Sequence, residues 1–365
     1  MNNRAQQEES KPKLFFTDRA EDIKSLTALK KEKKPHITDA YESLLEELYV
    51  IQHPELKEQK DKREKAVRIY LTERKEKPGD LTQDGAWVYY PWKNTLVHSL
   101  FEEEYFTVRT DRNRNLVTRE EQEKLRSFKI GIVGLSVGQA SALTLATSGM
   151  CDYMKLMDPD VIEASNLNRI HASLESVGSY KTTYVAQKIY EMNPFAKLEL
   201  YPVPLTEENL EAFLLKPYKV DAIIDAFDDI KMKIKLRVKA REFDIPVVMA
   251  TDLGDGAIID IERYDVNKAT KIFNGRVDEK EIENFPPEMK YEDIAQIAVK
   301  MIGQESVPQR MVESLKLVGK ELAGHPQLAL ASFLGGAIMA YTIKRIALGK
   351  KLSSERLYIQ FEKLL

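Results

Sequence analysis

The chain has 365 residues, 43% of them hydrophobic, and a formal net charge of −3. This length suits one large or two modest domains with a sizeable core. The nearly balanced charge gives no general attraction to nucleic acid or to an anionic membrane. The single cysteine, Cys151, excludes an intramolecular disulfide framework and any zinc site built from several cysteines. This composition fits a reducing, cytoplasmic environment.

The N-terminal part of the chain shows no catalytic spacing. Residues 1–17 are polar and lack periodicity, which predicts a disordered tail. From Thr38, a candidate N-cap, apolar residues recur at helical spacing, and a second helical pattern is stopped by Pro78-Gly79. The aromatic patch Trp87 to Trp92 predicts a strand or an extended arm. We therefore expect residues 18–110 to form a mostly helical extension that packs on the main domain.

The middle of the chain alternates between apolar runs and helical segments. This alternation predicts an α/β fold, a Rossmann-like, doubly wound and mostly parallel sheet with right-handed crossovers. A further run, Ala257 to Tyr264, predicts a last strand of different orientation. The apolar runs begin at Lys129, Tyr153, Leu198, Val220 and Pro246.

The C-terminal part is expected to be helical. Residues 265–327 are polar and less regular, with helical patterns at Ile294 to Ile302 and at Val312 to Leu322. The apolar stretch Leu328 to Ile343 is short for a membrane span and is closed at once by two basic residues. It therefore predicts a buried helix.

A polar cluster follows the apolar run at Tyr153. Asp158 to Arg169 reads D-P-D-V-I-E-A-S-N-L-N-R and places carboxylates, amides and a guanidinium behind a strand. Ligands of α/β sheets bind at the carboxyl ends of strands. Carboxylates can hold ribose hydroxyls, and Arg169 and the amides can hold phosphate oxygens. The cluster predicts a nucleotide site.

A glycine loop, Gly134 to Gly138, follows the first of these strands. Its backbone N–H groups and the helix N-terminus behind it can bind phosphate. Against the dinucleotide pattern G-x-G-x-x-G, Ser136 replaces the second glycine and Gln139 the third. An NAD- or FAD-dependent oxidoreductase is therefore disfavoured, although the fold would allow one.

Two further segments add charge to this site. Lys181 follows V-G-S-Y just before a predicted helix, and Asp225-Ala226-Phe227-Asp228-Asp229 closes the fourth strand. Either segment alone is ordinary, because lysines cover helix surfaces and carboxylates begin helices. Together with Arg169, however, a lysine and a Mg²⁺-binding carboxylate suit attack at a phosphoryl group with pyrophosphate leaving.

The order of these motifs resembles the ubiquitin-activating-enzyme-like adenylyltransferases. These include ThiF and MoeB, which activate sulfur-carrier proteins, and the tRNA threonylcarbamoyladenosine dehydratases. The resemblance covers roughly Arg112 to Tyr264 and resumes in the helix Leu328 to Leu348, which contains S-F-L-G-G. It implies that residues 111–365 form a ThiF-type nucleotide-binding domain, with 265–327 as a crossover insertion.

The resemblance also implies roles for the nucleotide-binding residues. Asp158 would bind the ATP ribose, with Asp160 nearby. Asn166 and Arg169 would contact phosphates. Lys181 would contact phosphate and stabilise the transferring group. The glycine loop residues Gly134, Ser136 and Gly138 would approach the nucleotide.

Other implied roles concern the metal and a partner subunit. Asp228 would bind Mg²⁺. Family members borrow an arginine from a partner subunit on a segment before the first strand, where this chain has Arg112 and Arg114. The resemblance therefore implies a homodimer with two composite sites.

The chain departs from the family pattern in several places. The glycine loop and the segment between Arg169 and Lys181 each seem one residue short, although His171-Ala172 is similar to the dehydratases. The paired C-x-x-C zinc motifs and a catalytic cysteine after residue 265 are absent. Cys151 is expected to be a small buried hydrophobe. We therefore predict no zinc and no thioester step.

These observations favour an ATP- and Mg²⁺-dependent adenylyltransferase that activates an acceptor carboxylate as an acyl-adenylate. The acceptor would be a ubiquitin-like or sulfur-carrier protein or a small-molecule carboxylate. One alternative is a dehydratase-like enzyme that acts on tRNA, which needs only a local basic patch. Another is a nucleotide-binding module without turnover that binds a partner.

Overall fold

The computed structural model describes residues 10–76, 82, 84–277, 297–298, 300–303 and 307–361. The chain divides into two compact units. The first comprises residues 1–122 together with 190–196, and the second comprises residues 123–189 and 197–365. The predicted boundary at 110/111 stays a prediction.

The first unit contains a four-stranded sheet of order β1-β3-β4-β2, in which only the β2–β4 pair is parallel. Its strands are β1 (Lys13–Phe16), β2 (His36–Asp39), β3 (Ala86–Tyr90) and β4 (Thr95–Ser99). Its helices are α1 (Ala20–Lys33), α2 (Tyr41–Gln52), α3 (Lys60–Glu76) and α4 (Glu102–Thr110).

Most of the aromatic patch forms a strand, which is one of its two predicted structures, and not an extended arm. It forms β3, all five residues of which are buried, in the interior of the sheet. Trp87 and Tyr89 share a hydrophobic core with Phe15 and Leu96. Aromatic residues fit such a pleated, buried surface, which accounts for the strand.

Two shorter predictions in this unit also need correction. Residues 13–16 of the expected disordered tail form β1, which pairs with β3; residues 1–9 lie outside the described residues. Thr38 is not an N-cap but lies in β2, and α2 begins at Tyr41. Strands of four residues are too short to show a clear period in the sequence.

The second unit contains a seven-stranded sheet of order β11-β10-β9-β8-β5-β6-β7. Strands β5 to β9 are parallel, whereas β10 and β11 are added antiparallel at one edge. This confirms the predicted doubly wound sheet and the reversed last strand; β11 was not predicted. The strands are β5 (Lys129–Val133), β6 (Tyr153–Met157), β7 (Lys197–Tyr201), β8 (Ala222–Asp225), β9 (Val247–Leu253), β10 (Gly256–Glu262) and β11 (Glu355–Ile359).

The sheet reverses its direction of growth at β5, which lies between β6 and β8. Ligands of such sheets bind outside the carboxyl ends of the strands at this switch point. The remaining helices are α5 (Arg119–Ser127), α6 (Val137–Thr147), α7 (Lys181–Met192), α8 (Glu207–Leu215), α9 (Ile230–Glu242), α10 (Gln309–Leu315) and α11 (Ala329–Ala347).

Helix α11 confirms the prediction of a buried apolar helix. It packs closely on α6, since a Cβ added to Gly336 would lie 2.4 Å from the Ala140 Cβ. Within the described residues, no helix is long and apolar enough to cross a membrane. The helix predicted to reach Leu322 ends instead at Leu315 and is followed by turns. Of the helix predicted at 294–302, residues 297–298 and 300–302 are helical, and the others lie outside the described part.

A buried ion network fixes β8 against α9 and β10. Asp225 accepts hydrogen bonds from Lys233 Nζ at 2.5 Å and from Arg237 Nη1 at 2.6 Å. Arg237 Nε donates to Glu262 at 2.7 Å, and Glu262 also accepts from the Tyr264 hydroxyl. The two cationic partners of Asp225 favour its ionised form against the effect of burial, so its pKa is lowered.

Candidate nucleotide-binding site

The glycine loop lies at the carboxyl end of β5 and leads into α6. Gly134 has φ of +86°, and a Cβ there would lie 2.2 Å from the Ala226 carbonyl oxygen. Glycine is therefore required at this position both for its conformation and for the close approach of the loop after β8. At Gly138 an added Cβ would lie 3.0 Å from the Ile132 side chain, so this residue brings α6 close to β5.

The two residues that replace glycines in the loop pattern have structural partners. Ser136 Oγ accepts a hydrogen bond from Arg169 Nε at 3.2 Å. Gln139 is buried, and its Oε1 accepts from the His171 backbone N–H at 2.8 Å. The loop is thereby tied to the segment 169–171. These contacts give the departure from G-x-G-x-x-G a physical reason.

Asp158 directly follows β6, and its carboxylate binds the glycine loop. Its Oδ2 accepts from the Leu135 backbone N–H at 2.6 Å, and its Oδ1 accepts from the Asp160 backbone N–H at 2.8 Å. Burial raises the pKa of Asp158, and Lys181 and these backbone donors oppose the rise. Asp158 therefore holds the strand end and the loop in place, and its predicted contact with ribose stays a proposal.

Lys181 is brought to the same place by the start of α7. Its backbone N–H donates to the Asp160 carbonyl, and its Nζ lies 2.8 Å from Asp160 Oδ2 and 3.7 Å from Asp158 Oδ1. The lysine is mostly buried whereas the Asp160 side chain is largely exposed. The ammonium group is thus directed to the carboxyl end of β6, and its predicted contact with phosphate stays a prediction.

The segment between β6 and α7 positions Arg169. The Arg169 Nη1 donates to the Ser165 carbonyl and to Asn168 Oδ1, while Asn168 Nδ2 donates to the Gln327 carbonyl. Asn166 is buried, and its Oδ1 caps a short 3₁₀ helix by accepting from the Glu163 N–H. The Asn166 side chain therefore orders this segment; a phosphate contact by it stays a prediction.

The three carboxylates of the acidic run after β8 have different surroundings. Asp225 is held in the ion network by Lys233 and Arg237. Asp229 caps α9 by accepting from the Met232 backbone N–H at 3.0 Å. Asp228 is exposed at the carboxyl edge of the sheet. Of the three carboxylates, Asp228 is therefore the one available for Mg²⁺.

Asp252, near the end of β9, was missed by sequence reasoning. It is 8% exposed, and both of its carboxylate oxygens are buried without a hydrogen-bond partner among the described residues. Its pKa is raised to about 6, chiefly by burial; the Asp228 carboxylate adds to the rise, while Arg169 and the Gln327 side chain oppose it. An acidic residue inside the apolar run Val247–Leu253 is unusual, and this feature of the sequence could have identified Asp252 as a candidate site residue.

The cysteine of this region is buried, and the histidine is stacked on an aromatic ring. Cys151 is 1% exposed, and burial raises the pKa of its thiol, so it is a buried hydrophobe as predicted. The His171 ring stacks on Phe333 at 4.4 Å between ring centroids. In the described part of the chain, no group of three or more His, Cys, Asp or Glu side chains is arranged to hold a metal ion.

Arg112 and Arg114 belong to the first compact unit, whereas the other predicted site residues belong to the second. Both line an open cavity of about 910 Å³ in the first unit. Arg114 Nη1 lies 3.2 Å from Asp111 Oδ1, and its side chain is largely exposed. Their predicted role as arginines supplied to a partner subunit stays a prediction.

Comparison with known proteins gives one family match and several relatives. The sequence model of the ThiF family matches residues 110–358. An uncharacterized protein of Mycobacterium tuberculosis, MT1398, is 34% identical over 77% of this chain and 39% of its own length. The tRNA threonylcarbamoyladenosine dehydratase of Bacillus subtilis is 31% identical over 44% of this chain and 62% of its own length.

A third relative is covered more fully. The sulfur carrier protein adenylyltransferase of Thermus thermophilus is 27% identical over 62% of this chain and 82% of its own length. The chain therefore spans less than two thirds of the first two relatives but most of the third.

Among solved structures, the Escherichia coli tRNA N6-threonylcarbamoyladenosine dehydratase is 19% identical, with a TM-score of 0.48 over 67% of this chain and 95% of its own. The family match covers more than half of the chain and includes the glycine loop, the cluster at Asp158, Lys181 and Asp228. The chain therefore belongs to the ThiF family.

Proposed function

We propose that this chain is an ATP- and Mg²⁺-dependent adenylyltransferase that activates an acceptor carboxylate as an acyl-adenylate, without a thioester step. The observation that carries the proposal is the convergence of the glycine loop, Lys181 and Arg169 at the switch point of the sheet, on the edge that also carries the exposed Asp228. The ThiF family match and the adenylyltransferase relative support it.

The charges of the site suit this reaction. The N–H groups of the loop and the start of α6 would bind phosphate oxygens, and Asp158 and Asp160 would face the ribose. An acceptor carboxylate oxygen attacks the α-phosphorus, the bond from that phosphorus to the bridging oxygen of the β-phosphate breaks, and pyrophosphate leaves. Lys181 and Arg169 would neutralise the charge that develops on the α-phosphate.

The residues present also fit a magnesium ion. Mg²⁺ takes one or two protein carboxylates and completes its coordination with phosphate and water. Asp228 is exposed at the carboxyl edge, whereas its neighbours Asp225 and Asp229 are engaged elsewhere. The ion would supply charge neutralisation on the triphosphate.

Two features support an adenylate as the end product on this chain. Its one cysteine, Cys151, is 1% exposed and has a raised pKa, so the thiol is neither accessible nor ionised. An acyl-adenylate needs no protein nucleophile.

We also propose a cytoplasmic homodimer in which Arg112 or Arg114 enters the partner subunit's site, a ubiquitin-like or sulfur-carrier protein as the acceptor, and no bound zinc.

ATP–pyrophosphate exchange with candidate carrier proteins tests this proposal. Lys181→Ala and Asp228→Asn should each lower exchange by about 100-fold or more, as expected when a group that stabilises transition-state charge is lost. Asp229→Asn is the matched control, because asparagine also caps a helix and exchange should persist. Unchanged exchange in both Lys181→Ala and Asp228→Asn contradicts the mechanism.

A tRNA threonylcarbamoyladenosine dehydratase-like activity is the second candidate. It is favoured by the 31% identity to the Bacillus subtilis dehydratase. Incubation with ATP and tRNA that carries threonylcarbamoyladenosine would then remove one water from the modified nucleoside, which mass spectrometry detects. Absence of this loss, with exchange on a carrier protein, favours the first candidate.

Two other functions remain as outcomes of the same experiments. Tight ATP binding without exchange on any acceptor would indicate a nucleotide-binding module without turnover. Binding of nicotinamide dinucleotides would indicate an oxidoreductase. The loop contacts of Ser136 and Gln139 disfavour the latter, because they occupy positions where a dinucleotide loop needs glycine.

A further inference from the structure

We propose that Asp252 is a second carboxylate ligand, with Asp228, of the divalent cation that accompanies ATP. The inference rests on the proposed function, which supplies the nucleotide and the cation. It adds a residue of β9 to a site otherwise built from the ends of β5, β6 and β8.

The Asp252 carboxylate makes no hydrogen bond within the described part of its own chain, although Arg169 and the Gln327 side chain lie close enough to favour its ionised form. Residue exposure is 8%, and neither Oδ1 nor Oδ2 has a hydrogen bond among the described residues. Buried polar atoms are nearly always hydrogen-bonded, and an unpaired buried carboxylate is costly. Such a group is therefore expected where a ligand supplies the missing partner.

The sheet places Asp252 beside Asp228. Strands β8 and β9 are parallel, with Asp225 opposite Met249. Asp228 and Asp252 each follow this pair by three residues, so both lie at the same carboxyl edge. Asp228 is exposed and Asp252 is buried, and the two are close enough for the Asp228 carboxylate to raise the pKa of Asp252.

Asp252 lies near the first turn of α6, where the proposed function would place the phosphates. A Cβ added to Gly335 of α11 would be 3.9 Å from Asp252 Oδ1 and 3.7 Å from the Val137 side chain, in the first turn of α6. Ser332, one helical turn before Gly335 and on the same face, also has a buried Oγ without a partner in the described structure. Asp252 and Ser332 thus contribute three buried oxygen atoms that make no hydrogen bond within the described chain.

A divalent cation is a better partner for these oxygen atoms than a triphosphate alone or Arg169. A triphosphate at the start of α6 would repel Asp228 and Asp252 unless positive charge lay between them. Arg169 is near Asp252, but it donates to Ser136, Ser165 and Asn168 instead. Mg²⁺ and Mn²⁺ bind carboxylate and phosphate oxygens at the same time. Two aspartates and the phosphates would complete such a site.

The test measures cation binding directly in the full chain. Mn²⁺ is titrated by electron paramagnetic resonance in the presence of an ATP analogue with a methylene group between its α- and β-phosphates. Loss of groups that only support a metal ligand costs about 10- to 100-fold in affinity. Asp252→Asn and Asp252→Ala should therefore each weaken Mn²⁺ binding by at least about tenfold, as should Asp228→Asn.

Two controls separate this result from a general defect. Asp255→Asn removes an exposed acid in the adjacent β9–β10 turn and should bind Mn²⁺ like the unmodified chain. Affinity for the analogue in the presence of a chelator should be unchanged or tighter in Asp252→Asn, since a negative charge near the triphosphate is removed. Urea unfolding of each variant verifies that it is folded.

The outcomes separate the role of Asp252 from the proposed function. Normal Mn²⁺ binding by folded Asp252→Asn, with weakened binding by Asp228→Asn, overturns the role of Asp252 and leaves the proposed metal site intact. Normal binding by all three variants, or no Mn²⁺ binding by the unmodified chain, overturns both.

Discussion

Two groups of buried acids in the second unit show opposite arrangements. Asp225 and Glu262 are 0% exposed and share Arg237, with Lys233 and Tyr264 completing the network. Asp252, on the strand between β8 and β10, is almost as buried but has no hydrogen-bond partner in the described part of the chain. The pKa of Asp225 is lowered by its cations, whereas that of Asp252 is raised by burial.

Pairing distinguishes Asp225 and Glu262, which stabilise the sheet, from Asp252, which we propose to be a ligand-binding group. A paired buried acid fixes neighbouring elements, and removing its partner leaves an uncompensated charge. An unpaired buried acid lowers stability in the ligand-free chain, and such groups concentrate at functional sites. Substitutions at each group should therefore change stability in opposite directions.

The largest effect is expected from breaking the paired group. Arg237→Met leaves Asp225 with one cation and Glu262 with none, so the free energy of unfolding should fall by about 3–5 kcal/mol. Urea unfolding at pH 8 measures this change. Lys231→Met, on the same helix but only half-buried, should have little effect. A loss below about 1 kcal/mol in Arg237→Met would show that the network contributes no more than a surface ion pair.

Substitution of the unpaired acid, Asp252, should instead raise the free energy of unfolding. Asp252→Asn removes a buried charge whose pKa is raised from 3.8 to about 6. At 1.36 kcal/mol per pKa unit, the ligand-free variant should be more stable than the unmodified chain at pH 8 by up to about 3 kcal/mol. Urea unfolding in a chelator tests this. Destabilisation by the isosteric amide would mean that the carboxylate has a partner in the folded chain.

The stability gain should also depend on pH. Between pH 4 and 6 the folded chain holds the Asp252 proton more tightly than the unfolded chain does, so the stability contributed by protonation is lost as pH rises. The difference between Asp252→Asn and the unmodified chain should therefore shrink to about 0.6 kcal/mol at pH 4. Unfolding curves at pH 4, 5, 6 and 8 give the profile, and a constant difference across them would contradict it.

The smallest stability effect is expected at Asp228. Its side chain is exposed and its neighbour Asp229 caps α9, so Asp228→Asn should change the free energy of unfolding by less than about 0.5 kcal/mol. ATP–pyrophosphate exchange should nevertheless fall in the same variant. A large stability loss here would assign Asp228 to the structure of the sheet and not to the site.

The second unit was more predictable than the first. Alternating runs such as Lys129 to Val133 and Val220 to Asp225 are apolar and are separated by helix signals, so the parallel sheet follows from local patterns. In the first unit, β1 and β2 have four residues each and find their partners far along the chain. Such pairing depends on long-range contacts that no local period records. The antiparallel β11 was missed for the same reason.

The candidate site also has residues that the sequence predicts and contacts that it does not. Gly134, Asp158, Lys181 and Asp228 stand out because their residue types, in this order and behind successive strands, are typical of a nucleotide site. The bonds of Ser136 to Arg169 and of Gln139 to His171 could not be predicted, because they join segments more than 30 residues apart.

The sequence by itself determined the doubly wound sheet, the family and most of the residues at the switch point, because hydrophobic alternation and short motifs are local properties of the chain. Only the tertiary structure decided which acids are available. Four residues of the same type have four different surroundings. Asp225 is in an ion network and Asp229 caps a helix. Asp228 is exposed, and Asp252 is buried without a hydrogen-bond partner among the described residues. Burial and pairing depend on neighbours that folding alone brings together.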